Sequence, residues 1–232
     1  SLQPPPTTTR LRPGRRVLAK AARRDSQTSS ANTRNASTTL DATQPISKAA
    51  MRNSHLAARR DLRTTPARKR ALDQAIVDHT RACIAALGAQ GTNIAAYNPL
   101  PSEPGPAGFA SQLAHAARTV FLPIALPHGV MAWAEAGDAS ERGALGISEP
   151  GGARFTSQVL RSCGLVVAPA LAVDRHGMRL GKGAGYYDRA LHGLEVPVAA
   201  VVYSWELVDA VPHDSHDQAV DAVITPEGFF CV

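Results

Sequence analysis

Residues 174 to 189, Asp174-Arg-His-Gly-Met-Arg-Leu-Gly-Lys-Gly-Ala-Gly-Tyr-Tyr-Asp-Arg189, concentrate more chemistry than any other stretch of the chain. Gly181, Gly183 and Gly185 alternate there, and glycines that reach positive φ can turn successive backbone N–H groups toward one anion. Arg179 and Lys182 add positive charge beside that cradle, and Asp188 offers a carboxylate of the kind that holds a divalent cation. Together these residue types predict a loop that handles a nucleotide's phosphates. Ala184 stands among the glycines, and an L side chain costs about 1 kcal/mol or more in the left-handed region, so a working loop requires a negative φ there. The loop is not a Walker A motif, because no hydroxyl residue follows Lys182, and it is not a dinucleotide fingerprint, because Tyr186 stands where the third glycine is needed. Elsewhere, Lys48 and Arg52 are four residues apart and share a helical face, either to grip phosphates together or as a solvated basic surface. Asp217 is a second candidate metal carboxylate, with an Asx turn among Asp214, Asp217 and Asp221 as the alternative. His213 and His216 have no convincing third ligand beside them, so hydrogen bonding is expected of them rather than zinc.

These residues need elements to position them. Cys163 to Val173 is a short apolar run rich in β-branched residues, as in a strand buried on both faces, and the glycine loop lies beyond its carboxyl end, where open α/β sheets bind ligands. Other strand candidates are Asn93 to Tyr97, Val120 to Leu122 and Val198 to Val202, with Met131 to Trp133 a further possibility. Ser47 is placed to cap a helix carrying Met51, Leu56 and Leu62; after a break at Thr64-Thr65, Pro66 opens a second carrying Leu72, Ile76 and Ile84. A helix is also expected near Phe109 to Arg118, and Glu135 to Phe155 reads as a long loop. Strands alternating with helices predict an α/β fold, a mainly parallel sheet with helices on both faces in a Rossmann-like three-layer arrangement.

The string Asp-Arg-x-Gly-x-Arg-Leu-Gly-x-Gly-x-Gly-Tyr-Tyr-Asp-Arg closely resembles the signature of the 5-formyltetrahydrofolate cyclo-ligases, also called methenyltetrahydrofolate synthetases. Four shorter segments are similar to others of that family, in its order: Ser47-Lys-Ala-Ala-Met-Arg52, Tyr97-Asn-Pro-Leu-Pro-Ser-Glu-Pro104, Gly146-Ile-Ser-Glu-Pro150 and the stretch from Pro212 to Thr225. The resemblance implies ATP as co-substrate, with Lys48, Arg52, Arg179, Gly181, Lys182, Gly183, Ala184, Gly185, Tyr186 and Tyr187 in its site, and Mg²⁺ on Asp188 and Asp217. It implies 5-formyltetrahydrofolate as the other substrate, contacted by Asn98, Glu103, Tyr186 and Tyr187, with Lys182 and Arg179 neutralising charge during phosphoryl transfer. Tyr186 and Tyr187 are adjacent, so in an extended segment they point opposite ways and at least one enters the core. Two other functions use the same loop: a small-molecule kinase with a different acceptor, and a nucleotide-sensing module without catalysis.

Composition closes off further classes. The chain has 232 residues, 44% of them hydrophobic, enough for one domain with a sizeable core. Its formal charge of +6 resides entirely in residues 1 to 46, which hold eight Lys and Arg against two acids, while the remainder carries 17 of each sign. A neutral domain is not a nucleic-acid-binding face. The Pro-, Ser- and Thr-rich stretch of residues 1 to 46 lacks an apolar period and is expected to be a disordered extension ahead of a domain of residues 47 to 232. It shares an Arg-rich, acid-poor character with organelle transit peptides, but its Pro-rich opening fits them poorly. No apolar run reaches the roughly 18 residues of a membrane span. Cys83, Cys163 and Cys231 are odd in number and widely spaced, which argues against a disulfide framework and for a reducing compartment, with the cytoplasm the simplest.

Overall fold

The computed structural model describes residues 45–137, 140–142, 148–150 and 152–232, so the predicted extension lies outside the described residues up to Gln44. Ser47 caps α1 (Lys48–Arg63), its hydroxyl accepting from the Ala50 N–H at 3.1 Å. Pro66 then opens α2 (Pro66–Ala86), at a first-turn position whose N–H would have had no partner in any case. Asp73, Ile76, Val77, Thr80, Cys83 and Ile84 are its buried residues, and their three-and-four spacing lays a single stripe against the sheet.

β1 (Asn93–Ala95), α3 (Phe109–Leu113), β2 (Thr119–Ala125) and β3 (Met131–Glu135) follow, then β4 (Ser140–Arg142), β5 (Ser148–Pro150), β6 (Arg154–Thr156) and β7 (Cys163–Pro169). The remainder is β8 (Ala172–Asp174), β9 (Arg179–Leu180), α4 (Tyr186–Ala190), β10 (Val198–Val201), β11 (Leu207–Val208), β12 (Ala222–Thr225) and β13 (Gly228–Cys231). Eight strands form one sheet in the order β13-β12-β10-β7-β1-β2-β3-β6. Its inner five are parallel, whereas β3, β6 and β13 join antiparallel at the flanks.

The predicted strands therefore form, the apolar run from Cys163 ending as a strand at Pro169 with Ala172 and Val173 passing to β8 of a second sheet, and so does the one at Met131, while two further expectations need correction. Glu135 to Phe155 is not one long loop: Glu135 ends β3, β4 pairs with β5, and β6 adds an edge to the main sheet. The helix expected as far as Arg118 ends at Leu113 and tightens into a 3₁₀ turn over Ala114–Ala116. Alternation along the parallel strands feeds two cores. Ile94, Leu165, Val167, Ala199 and Val201 face the side covered by α2 and α3, whereas Ala95, Val166, Ala168 and Ala200 face Leu160 and the start of α4. The second helical layer is thin, consisting of the single turn of α4 and the 3₁₀ segment Ser157–Ser162.

β8, β9 and β11 make a small separate sheet in the order β11-β8-β9, which presents the glycine loop. Asp174 organises it. One carboxylate oxygen accepts from the N–H groups of His176 and Met178 at 2.9 and 3.0 Å, and the other from that of Val211 at 2.9 Å. Gly177 completes the turn at φ 82°, where a Cβ would lie 2.5 Å from the Val220 carbonyl oxygen. Two residues of the glycine-tyrosine string thus serve the scaffold.

Candidate active site

β1 connects outward to β2 on one side of the sheet, while β7, β10 and β12 lie on the other, so the carboxyl ends of β1 and β7 form a switch point of the kind where α/β sheets bind ligands. A cavity of about 620 Å³ opens there. Its walls come from α1, the segment after β1, the segment after β7, the β9–α4 loop and Asp217. Every residue assigned to the site by sequence lines this one cavity: Lys48, Arg52, Asn98, Glu103, Arg179, Gly181 through Asp188, and Asp217.

The start of α1 and the loop before β12 meet there. Lys48 Nζ donates to Asp217 Oδ2 at 2.9 Å, and the same oxygen accepts from the Asp214 N–H at 3.0 Å. Burial tends to raise the Asp217 carboxyl, but the Asp214 N–H and the Lys48 ammonium outweigh it and hold the group below the ordinary carboxylate value. Asp214 in turn accepts from the His216 N–H, and Asp221 from the Val198 N–H, so turn-making and site roles coexist in this acidic segment. His213 has Nδ1 at 2.9 Å from the Val211 carbonyl, and no cluster of three metal-type ligands occurs among the described residues.

In the loop, Gly183 and Gly185 take φ of 105° and 74°, whereas Gly181 does not adopt positive φ as expected. What distinguishes Gly181 is contact: its carbonyl accepts from Arg52 Nε at 2.9 Å, and a Cβ would crowd Arg179 Nη1 at 3.2 Å. Ala184 keeps a negative-side φ, which the loop required. Arg179 donates to Asp188 at 2.8 Å, and its guanidinium lies 5.7 Å from the centre of the Tyr187 ring. Tyr186 and Tyr187 sit on the first turn of α4, not on an extended segment. Tyr186 Oη donates to the Leu126 carbonyl at 2.8 Å, and Tyr187 packs edge-on against Trp133, joining the second core. Burial, together with the charge on Glu103, pushes the Tyr187 hydroxyl above its ordinary value and keeps it neutral.

Glu103 is 5% exposed and firmly mounted. Its Oε2 accepts from the Leu100 N–H at 2.8 Å, and its carbonyl accepts from Lys69 Nζ at 3.1 Å and Tyr203 Oη at 3.3 Å. Tyr97 Oη ties down the same segment through the Pro104 carbonyl at 2.6 Å. The free oxygen, Oε1, pairs with Lys182 across the cavity. Asn98 is exposed at the edge.

Sequence reasoning did not single out Arg59. Arg59 is buried in the cavity wall, bonding Glu206 through Nε at 2.6 Å and Nη2 at 2.9 Å, with the Ala170 carbonyl at 2.5 Å from Nη2. Burial tends to lower its pKa, yet the bond and charge of Glu206 prevail and hold it above the ordinary arginine value. The available signal was spacing, since Lys48, Arg52 and Arg59 fall on one stripe of a 3.6-residue helix. No thiol competes for a catalytic role: burial pushes Cys83 up to about 12 and Cys163 up to about 11, and Cys231 is not in the cavity wall.

Comparison with known proteins fits this geometry. The model of the 5-formyltetrahydrofolate cyclo-ligase family matches residues 44–226. The chain belongs to the 5-formyltetrahydrofolate cyclo-ligase family. It is 32% identical over 191 residues to the 5-formyltetrahydrofolate cyclo-ligase of Mycolicibacterium smegmatis, covering 79% of this chain and 95% of that protein. The mouse cyclo-ligase is 34% identical over a shorter stretch of 86 residues, 34% of this chain and 42% of that one. Among solved structures, the 5,10-methenyltetrahydrofolate synthetase of Aquifex aeolicus superposes with a TM-score of 0.65 at 24% identity, over 79% of this chain and 92% of that one. That of Mycoplasma pneumoniae gives 0.60 at 23%, over 78% and 99%. These two likenesses establish the fold, the mainly parallel α/β sheet predicted from strand spacing. The family match spans both ends of the cavity, from Lys48 to Asp217. Among the described residues, no helix is long and apolar enough to cross a membrane.

Proposed function

We propose that the protein converts 5-formyltetrahydrofolate to 5,10-methenyltetrahydrofolate at the expense of ATP, with the cavity at the β1–β7 switch point as its active site. The observation that carries this reading is the contact between Lys182, at the centre of the glycine loop, and Glu103, on the segment after β1. One cavity therefore has a phosphate-type wall within a side chain's reach of a carboxylate suited to a ligand rich in N–H donors.

In this reading the polyphosphate of ATP lies on the Gly181-to-Gly185 loop, against Lys48, Arg52, Arg179 and Lys182, and Glu103 orients the reduced folate with Asn98 and Tyr186 alongside. The formyl oxygen attacks the γ-phosphorus and ADP departs. N10 then attacks the activated formyl carbon, its proton is lost, and the C–O bond breaks to release phosphate and leave the methenyl bridge. Phosphorylation converts a poor leaving oxygen into a good one; the protein's share is alignment and stabilisation of the charge on the transferring group. Asp188 and Asp217 fit a role in holding Mg²⁺, since both are cavity carboxylates and this cation is commonly bound by one or two carboxylates with substrate phosphates and water completing its shell. When bound, the cation would offset phosphate charge.

The test is ADP release and growth of the methenyl absorbance on mixing purified protein with Mg-ATP and 5-formyltetrahydrofolate. Both are expected, with ADP release dependent on the folate; absence of product in a single turnover with enzyme in excess would overturn the proposal. The negative-side φ of Ala184 removes the strain that motivated a sensor without catalysis.

A further inference from the structure

The segment that carries Glu103 is gripped by polar side chains that do not themselves line the cavity: Lys69 and Asp73 on α2, and Tyr203 just after β10. Asp73, 4% exposed, is the hub. Its Oδ2 accepts from Lys69 Nζ at 2.5 Å, and its Oδ1 accepts from Tyr203 Oη at 2.8 Å and from the Gly105 N–H at 3.1 Å. Lys69 Nζ and Tyr203 Oη also reach the Glu103 carbonyl. Among the described residues, the main-chain groups that these three side chains bond are therefore those of Glu103 and Gly105 alone.

Burying a carboxylate, an ammonium and a phenol costs desolvation that apolar side chains of similar volume would not incur. Hydrogen bonds to fixed partners, however, specify one backbone path more narrowly than apolar packing does. That path matters at Glu103, whose carboxylate hangs from the same main chain with Oε2 on the Leu100 N–H and Oε1 turned to Lys182. Immediately beyond it, Tyr97 Oη holds the Pro104 carbonyl and Gly105 turns the chain at φ 110°. Burial and the charge on Asp73 push the Tyr203 hydroxyl above its ordinary value, so it remains a donor. The Tyr203 ring stacks on Trp205 with centroids 4.9 Å apart, and its N–H donates to Glu206, which ties the cluster to the buried Arg59–Glu206 pair.

We propose that Lys69, Asp73 and Tyr203 are positioning residues for Glu103: by holding its carbonyl and the Gly105 N–H, they fix where Oε1 stands in the cavity and hence how the reduced folate meets the γ-phosphoryl group. This rests on the folate reading of the cavity. The three side chains act through Glu103 and touch no substrate themselves. Among the described residues, the glycine loop makes no hydrogen bond to any of them, so their influence falls on the folate side of the reaction and not on the phosphate side.

The experiment measures the Kd of 5-formyltetrahydrofolate by calorimetry, and kcat and KM for both substrates, in Tyr203→Phe, Asp73→Ala and Asp73→Asn. Tyr203→Phe keeps the stacked ring and removes the hydroxyl alone, and is expected to lower kcat/KM for the folate about 5-fold, as for one lost hydrogen bond. Asp73→Ala should lower it about 30-fold, and Asp73→Asn, which keeps an acceptor for Gly105 and Tyr203, should restore it to within about 5-fold of wild type. The KM for ATP should stay within about 2-fold throughout. In a Glu103→Ala background, with no carboxylate left to position, adding Tyr203→Phe should change the folate Kd less than about 2-fold. Wild-type folate parameters in Tyr203→Phe, equal losses for ATP and folate, or full additivity with Glu103→Ala would overturn the assignment; if Asp73→Ala does not fold, Tyr203→Phe decides it. Should the wild type neither bind nor turn over the folate, the cavity reading falls, and amide hydrogen exchange still judges the cluster. The Leu100 N–H, held by the Glu103 carboxylate, should then exchange about 5-fold faster in Tyr203→Phe, and an unchanged rate would refute positioning.

Discussion

Two kinds of cation–carboxylate pair border the cavity, and they differ in what surrounds them. Arg59 and Glu206 are 1% and 0% exposed, with the Ala170 carbonyl and the Tyr203 N–H completing their hydrogen bonds. Lys182 is 47% exposed where it meets Glu103, and Asp188 is 66% exposed where it meets Arg179. A sealed pair cannot exchange partners, because either charge left alone in the interior is strongly disfavoured. A rim pair exchanges more readily, since water solvates the exposed member on release, while the shielded member, Glu103 or Arg179 at 7% exposed, is left to pair with an incoming ligand. The sealed pair therefore fixes α1 against the ends of β7 and β10, while the rim pairs hold cations near the positions where an incoming phosphate would take them over.

Arg59→Met breaks the comparison most severely. It leaves Glu206 buried without its partner, and a loss of about 3–5 kcal/mol in urea unfolding is expected, most of it recovered when Glu206 is also replaced by Leu. A single variant less than about 1 kcal/mol weaker than wild type would show that the pair is not sealed in solution. Lys182→Ala should do the opposite: stability within about 1 kcal/mol of wild type, but kcat lower by about 100-fold or more if the side chain reaches the transferring phosphoryl group. Lys182→Arg should retain part of the activity, as a wider fork carrying the same charge. Unchanged kcat and ATP affinity in the alanine variant would remove Lys182 from the phosphate site.

The smallest effect is at Asp217. Its pKa is held below the ordinary carboxylate value, so its stabilising contribution is complete above about pH 4 and is lost as pH falls through the depressed value. Wild type should exceed Asp217→Asn by no more than about 1 kcal/mol at neutral pH, with the difference closing on acidification. A difference that widened in acid would contradict the assigned direction.

The comparison also explains what the sequence disclosed. β7 and β10 were legible because strands buried on both faces must be apolar at nearly every position, and the glycine loop because so many chemically distinct residues crowd within it. Arg59 was illegible as a buried residue because its partner is 147 positions away, and no local pattern distinguishes a base that will be sealed from the exposed Arg60 beside it. The tyrosine pair was misplaced because α4 has only five residues, too few for a period to emerge. β12 and β13 went unread as a hairpin, although Ala222 and Ile224 face one core and Val223 the other.

The bond between Lys48 and Asp217 spans 169 positions, almost the whole described chain. A polypeptide emerging from the ribosome releases α1 ahead of the sheet, and that helix has neither β10 nor Glu206 to dock against until residues 198–206 have been made. Closing so long a loop is slow and must await translation of Asp217. A product that stopped short of Asp217 would still contain the glycine loop, Glu103 and α1, yet would lack the residue that joins the first motif to the last. Assembly of this corner of the cavity therefore waits until Asp217 has been synthesised, and chains that stop before it lack the Lys48–Asp217 closure.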